Sequence, residues 1–394
     1  MHAIIVGAGM GGLTTALFLH QKGISCTVYE AAREIRELGV GINVLPHATK
    51  ELDKLGLLPA MTEAGILTRE VVRYDAQGKF LAANARGMFG GYNWPQVSIH
   101  RGTFQRILLN AVEARLGAAR VVTDRRLSSF EERGGKVVAR FADHTGGQYR
   151  ANGDILIAAD GIHSRARRIF YPNQGDPAYS GIMMWRATSR AKPFLTGASM
   201  VAVGTKEQKW IAYPISQPDA DGLCTINWLS ELPRPEMIRP EEWNRPGSLD
   251  DFYPEFANWR WDWCDAAAIM RNAEAVYEFP MVDRDPIPQW SFGRVTLLGD
   301  AAHPMYPVGS NGSSQAILDA SCIVEQLVGH READAEQALK AYEAERLPAT
   351  TKTVEAHRER QTEKEPQSAA ELEASTARFQ KAVGFDVETV NRAR

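Results

Sequence analysis

The sequence predicts an α/β fold in which a parallel sheet is interrupted by an inserted mixed β-sheet and followed by C-terminal helices. Three observations carry this. An apolar run ends in Gly7-Ala8-Gly9-Met10-Gly11-Gly12 and leads into a helical stretch; between about 181 and 278 the texture changes to strands rich in Trp, Tyr and Met; and a charged helical pattern begins at Asp334. At 394 residues the chain has room for two or three domains and a sizeable core.

Residues 3 to 30 read as strand, helix, strand: an apolar run to Val6, a helix from Leu13 to Gln21 stopped by Gly23, and a second strand from Cys26 to Glu30. A helix follows from Pro46 to Leu55, and Thr68 to Ala83 alternates like a hairpin turning at Ala76-Gln77-Gly78. Thr103 to Leu116 is helical. Three strand-like runs come next, Val121 to Thr123, Lys136 to Phe141 and Tyr149 to Ala159, the last ending at Asp160-Gly161. Beyond the inserted strands and a proline-studded connection from Pro233 to Pro254, Val295 to Leu298 returns to the first pattern. Asp334 to Glu365 is a charged helix that Pro348 is expected to kink or split, and the rest to Arg394 is expected to be helical or fraying. The boundaries that result are 1–70, 98–178 and 281–330 for a nucleotide-binding domain, 71–97 and 179–280 for a substrate domain, and 331–394 for a C-terminal helical segment.

Composition narrows the function. With 44% hydrophobic and 24% charged residues the chain is ordinarily globular, and 45 basic against 48 acidic residues leave no positive field to hold a nucleic acid. Cys26, Cys224, Cys264 and Cys322 form no C-x-x-C, which argues against a zinc knuckle and a redox dithiol and for reduced thiols in the cytoplasm, and no metal site is expected. No basic leader precedes Ala3, and no run reaches the roughly 18 to 20 apolar residues of a membrane span. The expectation is a soluble protein with no membrane or nucleic-acid partner.

The glycine run sits where a Rossmann-like dinucleotide site needs it. Gly7 makes the tight turn, Gly9 lets a pyrophosphate approach the backbone, Gly11 and Gly12 open the helix, and Gly12 lets helix and strand pack closely. Glu30 ends the second strand about 20 residues later, where a carboxylate holds a ribose diol. A second acid, Asp300, follows the strand Val295 to Leu298 in Gly299-Asp300, and Pro307, Gly309, Asn311 and Gly312 lead into another helix. That acid suits the hydroxyl chain of FAD, and the helix start brings positive potential to a flavin.

Together with Asp160-Gly161-Ile162-His163-Ser164-Arg165-Ala166-Arg167, these motifs resemble the single-component FAD-dependent aromatic hydroxylases typified by para-hydroxybenzoate and salicylate hydroxylases. Three signatures run in family order from Gly7 to Asp300. The resemblance implies the para-hydroxybenzoate hydroxylase-like fold, FAD as cofactor, NADH or NADPH as transient co-substrate, and O2 and a small aromatic substrate, with one oxygen atom inserted through a flavin C4a-hydroperoxide. It also implies that Asp160 and Arg167 bridge FAD and NAD(P)H binding, that Arg101 contacts the flavin linker, and that Gly41 lies by the flavin. For Arg165, Arg167 and Arg168 a solvated helix end is the alternative. The stretches Gly39 to Asn43, Ser98 to Gly102, Met184 to Arg186, Ala212 to Ser216, Pro280 to Pro286 and Met305 to Pro307 are closest to the phenazine-modifying branch, the 5-methylphenazine-1-carboxylate 1-monooxygenase type, which hydroxylates with loss of the carboxylate and uses NADH.

Candidate substrate-binding residues are Arg186, Tyr213, Asn227, Trp228 and Tyr306, with Met184 beside them. No catalytic acid or base is singled out. Arg186 can take a carboxylate bidentately or form a surface salt bridge, and Trp185 points opposite to it if the segment is a strand. Trp259, Trp261 and Trp263 are read as packing under a proline-rich loop rather than a cage, and His100 and His303 as structural. Other flavoenzymes on this scaffold fit less well: the tryptophan run departs from the W-x-W-x-I-P of halogenases, and no C-x-x-C supports a disulfide reductase. A redox-inactive flavin or NAD sensor is the alternative from another class, and the assembly is expected to be a monomer or homodimer.

Overall fold

A computed structural model describes residues 1–37, 39–236, 245–331, 334–364, 366 and 368–392. Part of the proline-studded connection, at 237–244, and Glu365 lie outside the described residues. Five short apolar strands run parallel in a six-stranded sheet. From one edge the order is Ser291–Phe292, Val295–Leu297, Ile155–Ala158, His2–Val6, Ser25–Tyr29 and Val121–Val122, with only the Ser291–Phe292 edge antiparallel. Strands this apolar belong in a sheet covered on both faces. Helix Met10–Gln21 is buried along nearly its whole length because it is packed by helices Arg101–Leu116 and Gly312–Gly329.

The second sheet has eight strands: Arg245–Pro246, Ala273–Asp283, Ala178–Ala191, Cys224–Pro233, Gln208–Pro214, Ser199–Thr205, Glu70–Tyr74 and Phe80–Ala85. Its two faces differ in kind. Thr188, Asn227 and Tyr213 stand directly opposite one another across three strands, so they share a face with Arg186 and Met184. Ala187, Trp228 and Ala212 share the other. There Trp185 stacks on Phe252 at 5.3 Å and Trp228 lies 5.8 Å from the same ring. Below them Trp261 stacks on Trp263 at 5.1 Å, so the tryptophan run is packing.

Several elements depart from the sequence reading. The expected strand Tyr149 to Ala159 is two strands in two sheets, Gln148–Gly153 and Ile155–Ala158. Asp154 breaks the run, its carboxylate taking the His2 amide and the Lys136 ammonium. Arg126–Arg133 pairs in the three-stranded antiparallel sheet but is too polar to show apolar alternation, and helix Leu58–Ala64 is additional. Pro348 does not split its helix, which is continuous from Ala335–Thr362; Tyr342 and Arg346 are buried before the proline and Thr350 and Thr353 after it. Of the two alternatives for the C-terminal segment, the described residues take the helical one: helices Ala369–Ala382 and Val387–Asn391 dock through Leu372, Phe379, Val383, Phe385 and Val390. Tyr92 Oη donates to Phe385 O at 2.7 Å, and Lys50 Nζ to Val390 O and Arg392 O at 2.9 Å each.

Two histidines lie in this C-terminal packing. Burial, reinforced by Arg346, pushes His47 down to about 3; burial pushes His357 down to about 4 despite its bond to the Tyr306 carbonyl. In the unfolded chain both titrate near 6.5, so below that pH the unfolded state binds protons the folded state refuses. Stability is therefore full above pH 6.5 and falls as pH drops toward 4, by up to about 1.4 kcal/mol per pH unit for each histidine. Urea unfolding across this window is expected to show that slope, with His47→Leu removing one histidine's share. An unchanged slope in the variant would overturn the assignment.

Candidate active site

The parallel strands end together, and their carboxyl ends open onto one crevice, the position at which such sheets bind ligands. Gly7 follows the first strand at φ +102°, its amide donating to Tyr29 O at 2.8 Å. A Cβ on Gly7 would lie 2.3 Å from Ala159 O, and one on Gly12 would lie 2.0 Å from Gly7 O, so no other residue fits either place. Gly11 packs against Leu298, while nothing lies within 4 Å of a Cβ on Gly9. The turn is thus tight inside and open at Gly9. Glu30 folds over it, its carboxylate accepting from the Ala8 and Ala32 amides at 2.8 Å each.

Asp160 and Asp300 end the two neighbouring strands. Asp160 Oδ2 accepts from the Arg165 and Ala166 amides, but its Oδ1 is buried with no partner, and burial raises its pKa. Asp300 is open to solvent, yet the protein around it raises its pKa by desolvation, with His303 and Arg101 opposing and Asp319 adding to the shift. Among the described residues no group donates a hydrogen bond to its carboxylate. Gly299, at φ +62°, is seated on Ala316, and the helix that opens at Gly312 begins beside Asp300 Oδ1. Arg101 lies near both Asp300 and Arg186, affecting the titration of each.

Arg167 has an internal role. It is buried and donates to Gln174 Oε1, Ala301 O, Ala302 O and Asp285 O at 2.7 to 3.1 Å, clamping three loops; Arg165 and Arg168 are exposed. Pro307, Gly309 and Asn311 likewise shape their loop from behind. A Cβ on Gly309 would lie 2.8 Å from Phe379, and Asn311 Nδ2 is 3.5 Å from His357 Nε2. His100 Nε2 meets Gly39 O at 3.1 Å, a structural bond.

Across the crevice, Gly41 opens the strand Gly41–Val44, which belongs to a separate three-stranded sheet, and bonds to the eight-stranded sheet. Its amide donates to Asn227 Oδ1 at 2.6 Å and its carbonyl accepts from Arg186 Nη2 at 3.1 Å. A side chain there would strike Asn227 and Ile215. Arg186 Nε and Asn227 Nδ2 remain buried without a protein acceptor. Burial pushes the Tyr213 phenol up to about 12, with Arg186 and Asn227 opposing. Tyr306 closes one side in an apolar cluster with Ile182, Met184 and Met281, flanked by Phe279, whose ring lies 5.5 Å from the Arg186 guanidinium. Trp228 does not join them. Strand alternation turns it to the opposite face, where its Nε1 donates to Ser189 Oγ at 2.9 Å.

Sequence reasoning missed Asp319, Arg346 and His357. Asp319 Oδ2 accepts from the Gly299 amide at 3.1 Å and from His303 Nε2 at 2.6 Å, and Oδ1 from Arg346 Nε at 2.7 Å. An acid at 319 and a cation at 346, on two different helices, give no sequence signal that they are buried together.

A glycine turn and acids at parallel strand ends, facing a second sheet with an unpartnered polar face, define an FAD-binding oxidoreductase. The FAD binding domain family matches residues 1–357, so the chain belongs to that family, and it is an FAD-dependent aromatic monooxygenase. It is 42% identical over 394 residues to the phenazine 1,6-dicarboxylic acid hydroxylase PhzS of Lysobacter antibioticus, covering 96% of each chain. It is 33% identical over 371 residues to the 3-amino-4-hydroxybenzoate 2-monooxygenase PtnB3 of Streptomyces platensis, covering 90% of this chain and 86% of that one. Among solved structures, Klebsiella pneumoniae HpxO complexed with FAD and uric acid shares the fold at a TM-score of 0.77 and 24% identity, covering 99% of this chain and 96% of that one.

The residues present fit FAD. Gly9 leaves room for a pyrophosphate, Glu30 stands at a ribose position, and Asp160 Oδ1 and Asp300 are acceptors without donors. No helix among the described residues is long and apolar enough to cross a membrane. Asp300→Ala is expected to weaken FAD binding by about 1.5 to 3 kcal/mol, or about 10- to 150-fold, as flavin fluorescence quenching on titration into apoprotein would show. Undiminished affinity would contradict its role.

Proposed function

We propose that this monooxygenase hydroxylates a planar, carboxylated nitrogen heteroaromatic of the phenazine type, with NADH as reductant, in the cytoplasm. The observation that carries the reading is the donor set on the substrate face: Arg186 Nε and Asn227 Nδ2 are buried beside the Tyr213 hydroxyl with no acceptor supplied by the protein. Donors left so are costly, and a bound carboxylate offsets that cost. The 42% identity to a phenazine dicarboxylate hydroxylase supports the ring system. Four buried thiols with no disulfide support a reducing compartment.

When bound, FAD supplies the redox chemistry, taking a hydride from reduced nicotinamide and delivering one atom of O2 to the ring and the other to water. The protein's share is positioning and drying. The Gly41 backbone fixes Arg186 and Asn227 in orientation and leaves their free donors for the carboxylate. The Tyr213 phenol, raised to about 12, stays protonated at neutral pH and donates rather than acting as a base. Ile182, Met184, Phe279 and Tyr306 make an apolar wall that keeps water from the ring. Oxygen added at the carboxylate-bearing carbon expels carbon dioxide as the ring rearomatises; oxygen added at a neighbouring carbon expels a proton. For the reduced nicotinamide, we assign the phosphates to the surface cleft beside the Asp160-to-Arg167 element, where the exposed Arg168 supplies the cationic rim and the buried Arg284, bonded to Ile162 O and Gly175 O, adds its charge from behind.

Phenazine, quinoline, salicylate and pyridine carboxylates screened for stimulated NADH oxidation, with mass spectrometry of the products, test this reading. Phenazine carboxylates are expected to stimulate most, and a screen with no stimulation by any of them would sink it. Arg186→Ala is expected to raise KM for the carboxylated substrate about 10- to 150-fold, with Arg186→Lys between the two, the worth of a charge-assisted hydrogen bond. Arg168→Ala is expected to raise KM for NADH while leaving FAD affinity unchanged; an unaltered KM would remove the phosphates from that cleft.

A further inference from the structure

Helix Ala335–Thr362 carries Arg346, Thr350, Thr353 and His357 at the spacing of one face, and all four are buried. A buried polar stripe must find partners. The two threonines satisfy themselves on their own helix, Thr350 Oγ1 donating to Arg346 O and Thr353 Oγ1 to Ala349 O. The two ends of the stripe reach outward instead. Arg346 holds Asp319 and Gln315, and through Asp319 the turn Gly299 to His303. His357 Nδ1 donates to Tyr306 O at 2.8 Å, and its Nε2 accepts from Asn311 Nδ2 at 3.5 Å. One continuous helix therefore grips both ends of the segment that carries Asp300 and Tyr306.

The grip at His357 is specific in its chemistry. A carbonyl acceptor on one nitrogen and an amide donor on the other select the tautomer protonated on Nδ1. Phe379 stacks on the ring at 5.4 Å and also fills the space beside Gly309, so the imidazole cannot turn. With Nδ2 committed to His357, Asn311 keeps its buried Oδ1 as the free acceptor of the loop.

We propose that His357 is a positioning residue of the oxygenation site: its Nδ1–H bond to Tyr306 O sets the Tyr306–Asn311 loop against Asp300, so the C-terminal helix governs cofactor seating and the coupling of NADH oxidation to hydroxylation. Two amide substitutions test this on the full-length enzyme. In His357→Asn the introduced amide nitrogen stands where Nδ1 does and keeps the Tyr306 bond, whereas in His357→Gln it stands where Nε2 does and that bond is lost. The measurements are the FAD dissociation constant, the midpoint potential of the bound flavin, and the fraction of NADH oxidised that appears as hydroxylated product rather than hydrogen peroxide.

His357→Gln is expected to bind FAD about fivefold more weakly, the factor a lost hydrogen bond brings, with a shifted potential and a lower coupled fraction. His357→Asn is expected to restore all three toward the wild-type values. Equal losses in the two variants, or a loss in neither, would return His357 to a packing role and overturn the proposal. The FAD and potential readings need no substrate, so they decide the matter even where the phenazine reading fails.

Discussion

The site depends on the carboxylate of Asp319. Burial works against its charge, yet His303 and Arg346 bring its pKa down to about 2, and its oxygens are filled by the Gly299 amide, His303 Nε2 and Arg346 Nε. A buried charge survives only when its partners are in place, and removing one partner leaves a penalty of about 3 to 5 kcal/mol. The four groups therefore form as a unit or not at all. Because Gly299 is one of them, the unit decides where the strand Val295–Leu297 turns, and with it where Asp300 stands in the crevice. Because Arg346 is another, the C-terminal helix is part of the cofactor site although none of its residues lines the crevice.

The second constraint is the two-residue period of the substrate sheet. Arg186, Asn227 and Tyr213 reach the crevice because they stand in register across three strands, and the same register sends Trp185 and Trp228 to the layer beneath. A slip of one residue would bury three polar side chains under Phe252 and expose two indoles. The polar face is further locked by Gly41, whose amide and carbonyl are both taken by the inserted sheet. The pocket is thus tied to the strand Gly41–Val44 at one backbone position that tolerates no side chain.

Local signals made the cofactor half legible. Gly7, Gly12, Glu30, Asp160 and Asp300 announce themselves because each serves a strand end, and a strand end shows in an apolar run that stops. The opposition of Trp185 and Arg186 was legible by period alone. Trp228 was not, since the sense of one strand relative to its neighbours is a fact of pairing. Asp154 hid a chain crossing between two sheets inside what looks like one apolar run. Arg167, read as a cofactor contact with a solvated helix end as the alternative, is buried instead, because its guanidinium finds four protein acceptors on loops far apart in sequence. The last helices left helix and fraying both open because their apolar residues are sparse among charges, yet Phe379, Val383, Phe385 and Val390 form one cluster with Leu45 and Tyr92, and Phe379 lies against Gly309 of the flavin loop.

The polar inventory of the crevice sorts by side. On the cofactor side the protein presents acceptors, Glu30, Asp160 Oδ1 and Asp300, and FAD brings the hydroxyl donors of ribose and ribityl. On the substrate side it presents donors, Arg186 Nε, Asn227 Nδ2 and the Tyr213 hydroxyl, which ask for an acceptor-rich ligand. Arg101 lies between, near Asp300 and Arg186 alike, so its charge favours the anionic state of Asp300 and also raises the cost of keeping Arg186 charged. An anionic substrate removes that cost. Binding of a carboxylate then relieves a repulsion between two arginines that the empty pocket must tolerate, and a neutral ring of the same shape would leave it in place. That difference is what supports the carboxylated ring proposed as substrate, and it would act at the step of binding, before oxygen is committed.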